Sequence, residues 1–259
     1  MGDKVTLLIP ILNEIDGVKI IMPKIKAEWY DQLIILDGGS TDGTVEYLKE
    51  CGYEITLQKE VGLRKAFIEN YKNVMGNIIV TFSPDGNSIP ELIPHLIAKI
   101  KEGYDMVIAS RYYGNAKSYD DTFITSLANK FFTTTISLLF GFKYTDAMVI
   151  FRAYRKEVAE KLGILKPRSK FYEKYIGRYV SWEPQMSMRC AEHKLKIAEI
   201  PGDEPKRIGD ENNTGILPSS RIRHFRVGFA CMALVIDEFF RKILAIDDSD
   251  FKEGRERMK

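Results

Sequence analysis

Short apolar runs alternate with helical patterns along most of this chain. The apolar runs predict β-strands near residues 5–10, 33–37, 54–58, 77–82, 105–110, 147–153 and 196–200. Periodic apolar positions and local breakers predict helices at about 14–28, 43–51, 62–74, 90–102, 122–140, 155–162 and 182–193. Strands and helices that alternate at this spacing predict an α/β fold, with a mostly parallel sheet flanked by helices on both faces.

Composition narrows the class of protein. A chain of 259 residues with 45% hydrophobic and 29% charged residues is typical of one soluble α/β domain with a substantial core. The net charge is only +2, which gives no sign of general nucleic-acid binding. Asp3 and Lys4 lead straight into the first predicted strand, so no signal peptide is predicted. The three cysteines show no CxxC spacing, which favours reduced thiols and a cytoplasmic protein.

A polar motif, DGGSTDGT, follows the second predicted strand at residues 37–44. Asp37 would stand at the carboxyl edge of the sheet, where open α/β folds bind ligands. Gly39 permits backbone conformations that a Cβ would exclude, and Asp42 can cap the next helix. The motif therefore suggests a nucleotide site, although an ordinary turn and helix cap would use the same residue types.

Two other predicted strands end in the same way. The first strand ends at Pro10 and is followed by Asn13 and Glu14, while residues 78–82 are followed by Ser83-Pro84-Asp85-Gly86-Asn87. Parallel strands bring their carboxyl ends to one edge of a sheet, so these carboxylates and amides are expected to meet there.

The order and spacing of these motifs resemble the family 2 glycosyltransferases with a GT-A (Rossmann-like) fold. Within that family they are most similar to the dolichyl-phosphate mannose and glucose synthases. Residues 108–112, IASRY, resemble the family's GSRY strand end, and residues 146–155, DAMVIFRAYR, resemble its D-x-x-x-G-F-R-A-Y-R segment. The resemblance covers residues 4 to 215. Several motifs in one fixed order are far more specific than any one of them.

The resemblance implies a reaction and a set of binding residues. It implies inverting transfer of a sugar from a nucleotide-diphosphate donor to a lipid-linked (lipid-phosphate) or saccharide acceptor, assisted by Mg²⁺ or Mn²⁺. The metal ligand it implies is Asp85. The donor-binding residues it implies are Pro10, Asn13, Glu14, Asp37, Gly39, Asp42, Arg64, Lys65 and Arg207.

Some of these assignments have simpler alternatives. Arg64 and Lys65 are candidates for phosphate contacts, but they could equally belong to a solvated helix face. Asp85 could be part of an ordinary Pro-Asp-Gly turn.

The chain departs from the family pattern at two acidic positions. Gly38 replaces the second Asp of the DDGS motif, and Ser83 replaces the first Asp of the DxD metal motif. Asp85 remains as the strong oxygen ligand. Mg²⁺ and Mn²⁺ complete their coordination with phosphate and water, so one carboxylate is sufficient in principle.

Three residues are candidates for the chemical step. Asp146 or Glu183 could act as general base if the acceptor is a hydroxyl, whereas a phosphate acceptor is already anionic and needs no strong base. The helix dipole alone would favour Glu183 in a first helical turn. Arg152 could bind an anionic acceptor or donor phosphate, or it could form a structural ion pair with Asp146.

The predicted organisation is a catalytic domain at 1–217, an amphipathic helix at 218–246 and a disordered polar tail at 247–259. In the enzymes that the chain resembles, the segment corresponding to residues 201–220 is mobile and closes over the donor, so the resemblance implies such a loop here. The apolar core of the last helix, residues 228–236, is too short to span about 30 Å of hydrocarbon, so no transmembrane helix is predicted. This helix could lie on a membrane surface as a peripheral contact, or it could pack on the catalytic domain or on a second subunit of a homo-oligomer.

Two other functions stay open at this stage. A sugar nucleotidyltransferase shares an α/β nucleotide site, but its Gly-rich, Arg-Lys start motif does not follow the first strand. Gly38 and Ser83 also leave open a catalytically weak or inactive glycosyltransferase-like binding or scaffold protein.

Overall fold

A computed structural model describes residues 2–166, 168–209, 221–244 and 246. The predicted polar tail and residues 210–220 of the predicted mobile loop lie outside them. The strands of the described part are β1 (Val5–Ile11), β2 (Gln32–Asp37), β3 (Ile55–Leu57), β4 (Ile78–Thr81), β5 (Met106–Ser110), β6 (Arg152–Arg155) and β7 (Ile197–Pro201).

These strands form one sheet in the order β3-β2-β1-β4-β6-β5-β7. All neighbouring pairs are parallel except those of β6, which runs antiparallel to both β4 and β5. The predicted fold class, a mostly parallel α/β sheet, is therefore confirmed.

Helices cover both faces of the sheet. They are α1 (Ile15–Ile21), α2 (Thr44–Glu50), α3 (Leu63–Asn70), α4 (Ile93–Lys101), α5 (Phe123–Phe140), α6 (Lys156–Lys161), α7 (Lys170–Tyr172), α8 (Glu183–Glu192) and α9 (Arg221–Ile243). Successive side chains of a strand point to opposite faces, so β1 sends Leu8 into one core cluster, with Trp182, and Leu7 and Ile9 into a second, with Leu48.

Two elements in the structure differ from those that the sequence predicted. The apolar run at 147–153 was expected to be a strand, but β6 begins only at Arg152, and residues 148–151 instead line a cleft. The predicted helix at 14–28 is α1 followed by two 3₁₀ turns, Met22–Lys24 and Ala27–Trp29. Pro23 lies in the first turn of the first of them, where its missing N–H is tolerated.

The helix α9 packs on the α/β domain through one face. Ala230, Cys231, Leu234 and Val235 are buried in the same cluster as Trp182. The carboxylate of Glu238 is also buried on this face and accepts hydrogen bonds from Arg189 and Gln185 of α8. The C-terminal helix is therefore part of the core. Cys51, Cys190 and Cys231 are all free thiols.

Candidate functional site

A cleft of about 510 Å³ opens at the carboxyl ends of β1, β2 and β4. Its walls also include residues 148–151 and the segment 202–209, which we call the β7 loop. The predicted site residues that line the cleft are Pro10, Asn13, Glu14, Asp42, Asp85, Glu183 and Arg207. The sheet thus brings together side chains that are far apart in the sequence.

Hydrogen bonds join the loop after β1 to the loop after β2. Asn13 has a positive φ of 54°, which Asn tolerates better than most residues, and its Oδ1 accepts from the Thr41 N–H at 2.8 Å. The Ile15 N–H donates to Asp42 Oδ2 at 3.1 Å. Burial raises the pKa of Asp42, but hydrogen bonds from Thr44 and the Ile15 amide outweigh it and leave this pKa lowered. Asp42 therefore holds the two loops together as a carboxylate.

Asp37 and Gly39 shape the cleft from behind. Asp37 is buried, and its carboxylate accepts hydrogen bonds from the N–H groups of Gly39 at 2.9 Å and Ser40 at 3.1 Å. Neither Asp37 nor Gly39 lines the cleft, whereas Gly38 between them does. In this structure Asp37 fixes the turn that presents Gly38.

The loop after β4 carries Asp85 into the cleft. Asp85 is buried, and its Oδ2 lies 3.1 Å from Arg207 Nη2 of the β7 loop. Burial raises the pKa of Asp85 above its ordinary value, although Arg207 acts to lower it. The Ile208 N–H donates to the Asp85 carbonyl at 2.8 Å. The β7 loop therefore rests directly on the residue predicted to hold a metal ion.

Glu14 lies in the same cleft and is partly exposed as a residue, but its Oε2 atom is shielded from solvent. Its Oε2 atom has no hydrogen-bond partner in the described part of the chain. Burial is the main cause that raises the pKa of Glu14, and the negative charge of Asp85 adds to it. An unpartnered carboxylate oxygen in a ligand-sized cleft is available to a bound group.

The two candidate general bases have different surroundings. Glu183 lines the cleft, and burial raises the pKa of its carboxyl; its Oε1 has no hydrogen-bond partner among the described residues. Asp146 does not line the cleft. Its two oxygens accept from Arg111 Nε at 2.6 Å and Nη2 at 3.1 Å, so this carboxylate is held in a two-pronged ion pair.

Arg152 is fully buried, with its guanidinium directed at backbone carbonyls. It donates to the carbonyls of Val149 and Glu183, the latter at 3.0 Å, and to Ser187 Oγ at 2.9 Å. The residue that pairs with Asp146 is therefore Arg111, and Arg152 fastens the 147–150 segment to α8.

Arg64 and Lys65 lie away from the cleft lining. Arg64 is buried and donates to Gln185 Oε1 at 2.8 Å and to the Ile164 carbonyl at 2.9 Å. Lys65 is partly exposed and pairs with Glu60. The contacts of Arg64 are those of a structural residue that joins α3 to α8.

No role was predicted for Arg111, although it belongs to the IASRY motif, or for Glu204, and both line the cleft. Arg111 Nη1 lies 3.3 Å from Glu204 Oε1, and Ser118 Oγ donates to the other oxygen of Glu204. Arg111 follows the end of β5, so its place at a strand end was a signal available in the sequence. No local pattern in the sequence indicated Glu204, because its partners Arg111 and Ser118 lie 93 and 86 positions earlier in the chain.

The described residues contain no group of three or more His, Cys, Asp or Glu side chains that could hold a metal ion. Any ion bound at Asp85 would need ligands from a substrate or from water, as Mg²⁺ commonly does.

A mostly parallel sheet with a polar cleft at the carboxyl ends of its strands defines an α/β protein whose cleft lies where open α/β sheets bind their ligands. Residues 6–163 match the model of the glycosyl transferase family 2. The match spans more than half of the chain, so this protein belongs to glycosyltransferase family 2. Family membership favours the glycosyltransferase hypothesis over a sugar nucleotidyltransferase.

Two similar curated proteins are undecaprenyl-phosphate 4-deoxy-4-formamido-L-arabinose transferases. The one from Yersinia enterocolitica is 25% identical over 206 residues, which cover 74% of this chain and 61% of that protein. The one from Proteus mirabilis is 27% identical over 181 residues, covering 65% and 54%. This chain therefore spans less than two thirds of the length of either relative.

Solved structures share the fold. Glucosyl-3-phosphoglycerate synthase from Mycobacterium tuberculosis, in complex with Mn²⁺, uridine diphosphate and phosphoglyceric acid, has a TM-score of 0.66 at 17% identity. That alignment covers 92% of this chain and 79% of the other. The complex of the same enzyme with Mn²⁺, UDP-glucose and phosphoglyceric acid has a TM-score of 0.59 at 20% identity, with 89% and 80% covered.

Proposed function

We propose that this glycosyltransferase moves a sugar from a nucleotide-diphosphate donor to a lipid-phosphate acceptor, with inversion and with help from a divalent cation. The observation that carries the proposal is the cleft itself. It joins the polar loops after β1 and β2 to the Asp85–Arg207 pair at one edge of the sheet. Nucleotide-sugar and lipid-phosphate chemistry in similar proteins supports it.

The nucleoside would bind against the joined loops after β1 and β2. Asn13 and Asp42 line the cleft there, and both are held in place by hydrogen bonds between those loops. A rigid set of polar groups can select a base and ribose through directional hydrogen bonds. Arg207 would meet the diphosphate, because its guanidinium already faces an anionic group in the cleft.

The residues around Asp85 fit a divalent cation. The buried carboxylate of Asp85 and the Glu14 oxygen that has no partner among the described residues both belong to the cleft and provide hard oxygen donors, which Mg²⁺ and Mn²⁺ prefer. The bound ion would neutralise charge that develops on the leaving diphosphate. Asp85 would hold the ion in the cleft, and Arg207 would add positive charge beside it.

A lipid-phosphate acceptor is consistent with the side chains that the cleft offers for the chemical step. A phosphate oxygen of the acceptor would form the new bond to the anomeric carbon, while the bond to the donor diphosphate breaks and the nucleoside diphosphate leaves with its electron pair. No strong base is needed, because that oxygen is already anionic. Asp146 is occupied by Arg111, so a hydroxyl acceptor would instead depend on Glu183.

The surface of α5 and α9 supports an acceptor held in a membrane. Exposed apolar residues recur at helical spacing along one face of each helix and form what we call the apolar face: Phe123, Ile124, Leu127, Phe131 and Leu138 on α5, and Phe225, Phe229, Ile236, Phe240 and Ile243 on α9. The two helices contact each other. Phe123 and Phe225 are 83% and 79% exposed, which is unusual for large apolar side chains that recur on one face.

By length and composition, α5 is also the one described helix that could cross a membrane, with 22% of that window buried. We infer that the apolar face lies on the membrane surface as a peripheral contact. Exposed Lys130 and Lys143 and the basic Lys242 would favour anionic headgroups there.

The direct test is a transfer assay with a panel of nucleotide sugars and a polyprenyl phosphate in detergent, with Mg²⁺, Mn²⁺ or excess chelator. We expect transfer from one donor with a divalent ion, and loss of activity in Asp85→Asn. Asp203→Asn, which changes an exposed acid of the same cleft, is the matched control. Full turnover in chelator would refute the metal role, and donor binding without transfer to any acceptor would favour the scaffold alternative.

A further inference from the structure

We propose that Glu14 is the second protein ligand of the cation site, together with Asp85. Its carboxylate would take the place of the first Asp of the DxD motif, which is Ser83 in this chain. The inference rests on the metal use in the proposed function and extends the metal site to Glu14, which the sequence analysis gave as a donor-binding residue. It identifies a pair of carboxylates, from the loops after β1 and β4, as the binding site for a divalent cation.

The first support is the condition of the Glu14 side chain. Glu14 occupies the N-cap position of α1, but its side chain makes no capping hydrogen bond. Its Oε2 is buried without a hydrogen-bond partner among the described residues. Leaving a buried carboxylate oxygen unpaired costs free energy, and a bound ion is one of the partners that removes this cost.

The second support is the close approach of α1 to the Asp85 loop. Gly17 stands one turn after Glu14, and a Cβ at this position would lie 2.5 Å from the Pro84 carbonyl oxygen and 3.0 Å from Asp85 Cα. Only glycine allows the backbones to come this close. The contact brings the start of α1 against Asp85, and the charge of Asp85 acts directly on Glu14.

The third support is the charge of the cleft. Arg207 already supplies a positive group 3.1 Å from Asp85, so this position accepts a cation. Two carboxyl groups, those of Glu14 and Asp85, share this cleft with a single arginine. A divalent cation would bind both as carboxylates in place of their protons and would then attract the donor diphosphate.

The test measures Mn²⁺ affinity directly, by the electron paramagnetic resonance signal of free Mn²⁺, at saturating uridine or guanosine diphosphate. We expect Glu14→Gln to weaken Mn²⁺ binding about 10-fold or more. Adding Ser83→Asp to Glu14→Gln should restore most of the affinity, because it returns a carboxylate to the same loop. Glu46→Gln, which changes an exposed acid of α2 outside the cleft lining, should bind Mn²⁺ like the wild type, and melting curves should show that all variants fold.

Two results would overturn the inference. One is wild-type Mn²⁺ affinity in Glu14→Gln while Asp85→Asn loses binding. The other is a loss of nucleotide affinity in Glu14→Gln that is equally large in chelator and in Mn²⁺, since that would assign Glu14 to the nucleoside alone. Neither result would affect the proposed function, because sugar transfer by the wild type is measured separately.

Discussion

Arg207 Nη2 of the β7 loop lies 3.1 Å from Asp85 Oδ2, and this ion pair joins the segment after the edge strand β7 to the loop after the central strand β4. The backbone reinforces the pair, since the Ile208 N–H donates to the Asp85 carbonyl at 2.8 Å. Any ligand of Asp85 therefore also meets the β7 loop. The position of this loop and the binding of the donor should depend on each other.

A substitution at Gly86 tests whether the position of the β7 loop affects donor binding. Gly86 has a φ of +91°, and a Cβ there would lie 2.4 Å from the Ile208 side chain. We expect Gly86→Ala to push the β7 loop away from Asp85 and to weaken donor binding, measured by isothermal titration with the nucleoside diphosphate and Mg²⁺.

Gly103→Ala is the matched control for that substitution. Gly103 has a similar φ of +99°, but a Cβ there would meet nothing within 4 Å. Both variants should lose about 1 kcal/mol of stability from backbone strain. Equal donor affinity in the two would show that the contact with Ile208 does not matter for binding.

Substitutions of Arg64 and of its neighbour Lys65 should differ in their effect on the stability of the protein rather than on donor binding. Removal of the buried Arg64 guanidinium leaves Gln185 and the Ile164 carbonyl without their donors, so Arg64→Ala should cost about 3 kcal/mol of unfolding free energy. Lys65→Ala should change it by less than about 0.5 kcal/mol, because its pair with Glu60 is at the surface. Urea unfolding measures both values. A stable Arg64→Ala variant with weakened diphosphate binding would instead make Arg64 a donor residue.

Glu183 should make stability depend on pH. Burial raises the pKa of its carboxyl in the folded state, although Arg152 acts to lower it. The folded protein therefore binds this proton more tightly than the unfolded chain does. Stability from this group is fully present below the ordinary Glu pKa and is lost as pH rises through the folded pKa.

Glu183→Gln should remove this loss, worth about 1.4 kcal/mol for each unit by which the pKa is raised. The pKa values of other acids, such as Glu14 and Asp85, are also raised, so the measured quantity is the difference in melting temperature between variant and wild type from pH 4 to 8. We expect the difference to grow in favour of the variant with rising pH. A difference that is constant with pH would contradict the raised pKa.

Membrane attachment should depend on the apolar face. The triple variant Phe123→Ser, Leu127→Ser and Phe131→Ser removes exposed side chains, so the melting temperature should stay near that of the wild type. Sedimentation with vesicles containing anionic lipid should show binding by the wild type that weakens with salt and is largely lost in the variant. Lys72→Ser, an exposed change outside α5 and α9, is the control. A wild type that stays in solution at low salt, or that forms a dimer disrupted by the triple variant, would favour contact with a second copy.

The order of motifs in the sequence was sufficient to predict the fold class and the edge of the sheet at which the cleft opens. Polar residues follow the apolar runs that end at Pro10, Leu36 and Phe82. Because parallel strands share a direction, these polar residues meet at neighbouring strand ends. These are local patterns, so they can be read without knowing any long-range contact.

Which of those residues face the cleft was decided by the tertiary structure. Arg64 and Arg207 are both basic residues near predicted loops, yet Arg64 is buried against Gln185, 121 positions away, while Arg207 faces Asp85 across the cleft. In the same way, Arg111 pairs with Asp146, while one Glu14 oxygen has no partner in the part of the chain that the structure describes. The sequence by itself determined which chemical groups arrive at the sheet edge. Only the packing of distant segments decided whether each group is neutralised by the protein or left for a ligand, because burial and pairing depend on neighbours that local patterns do not specify.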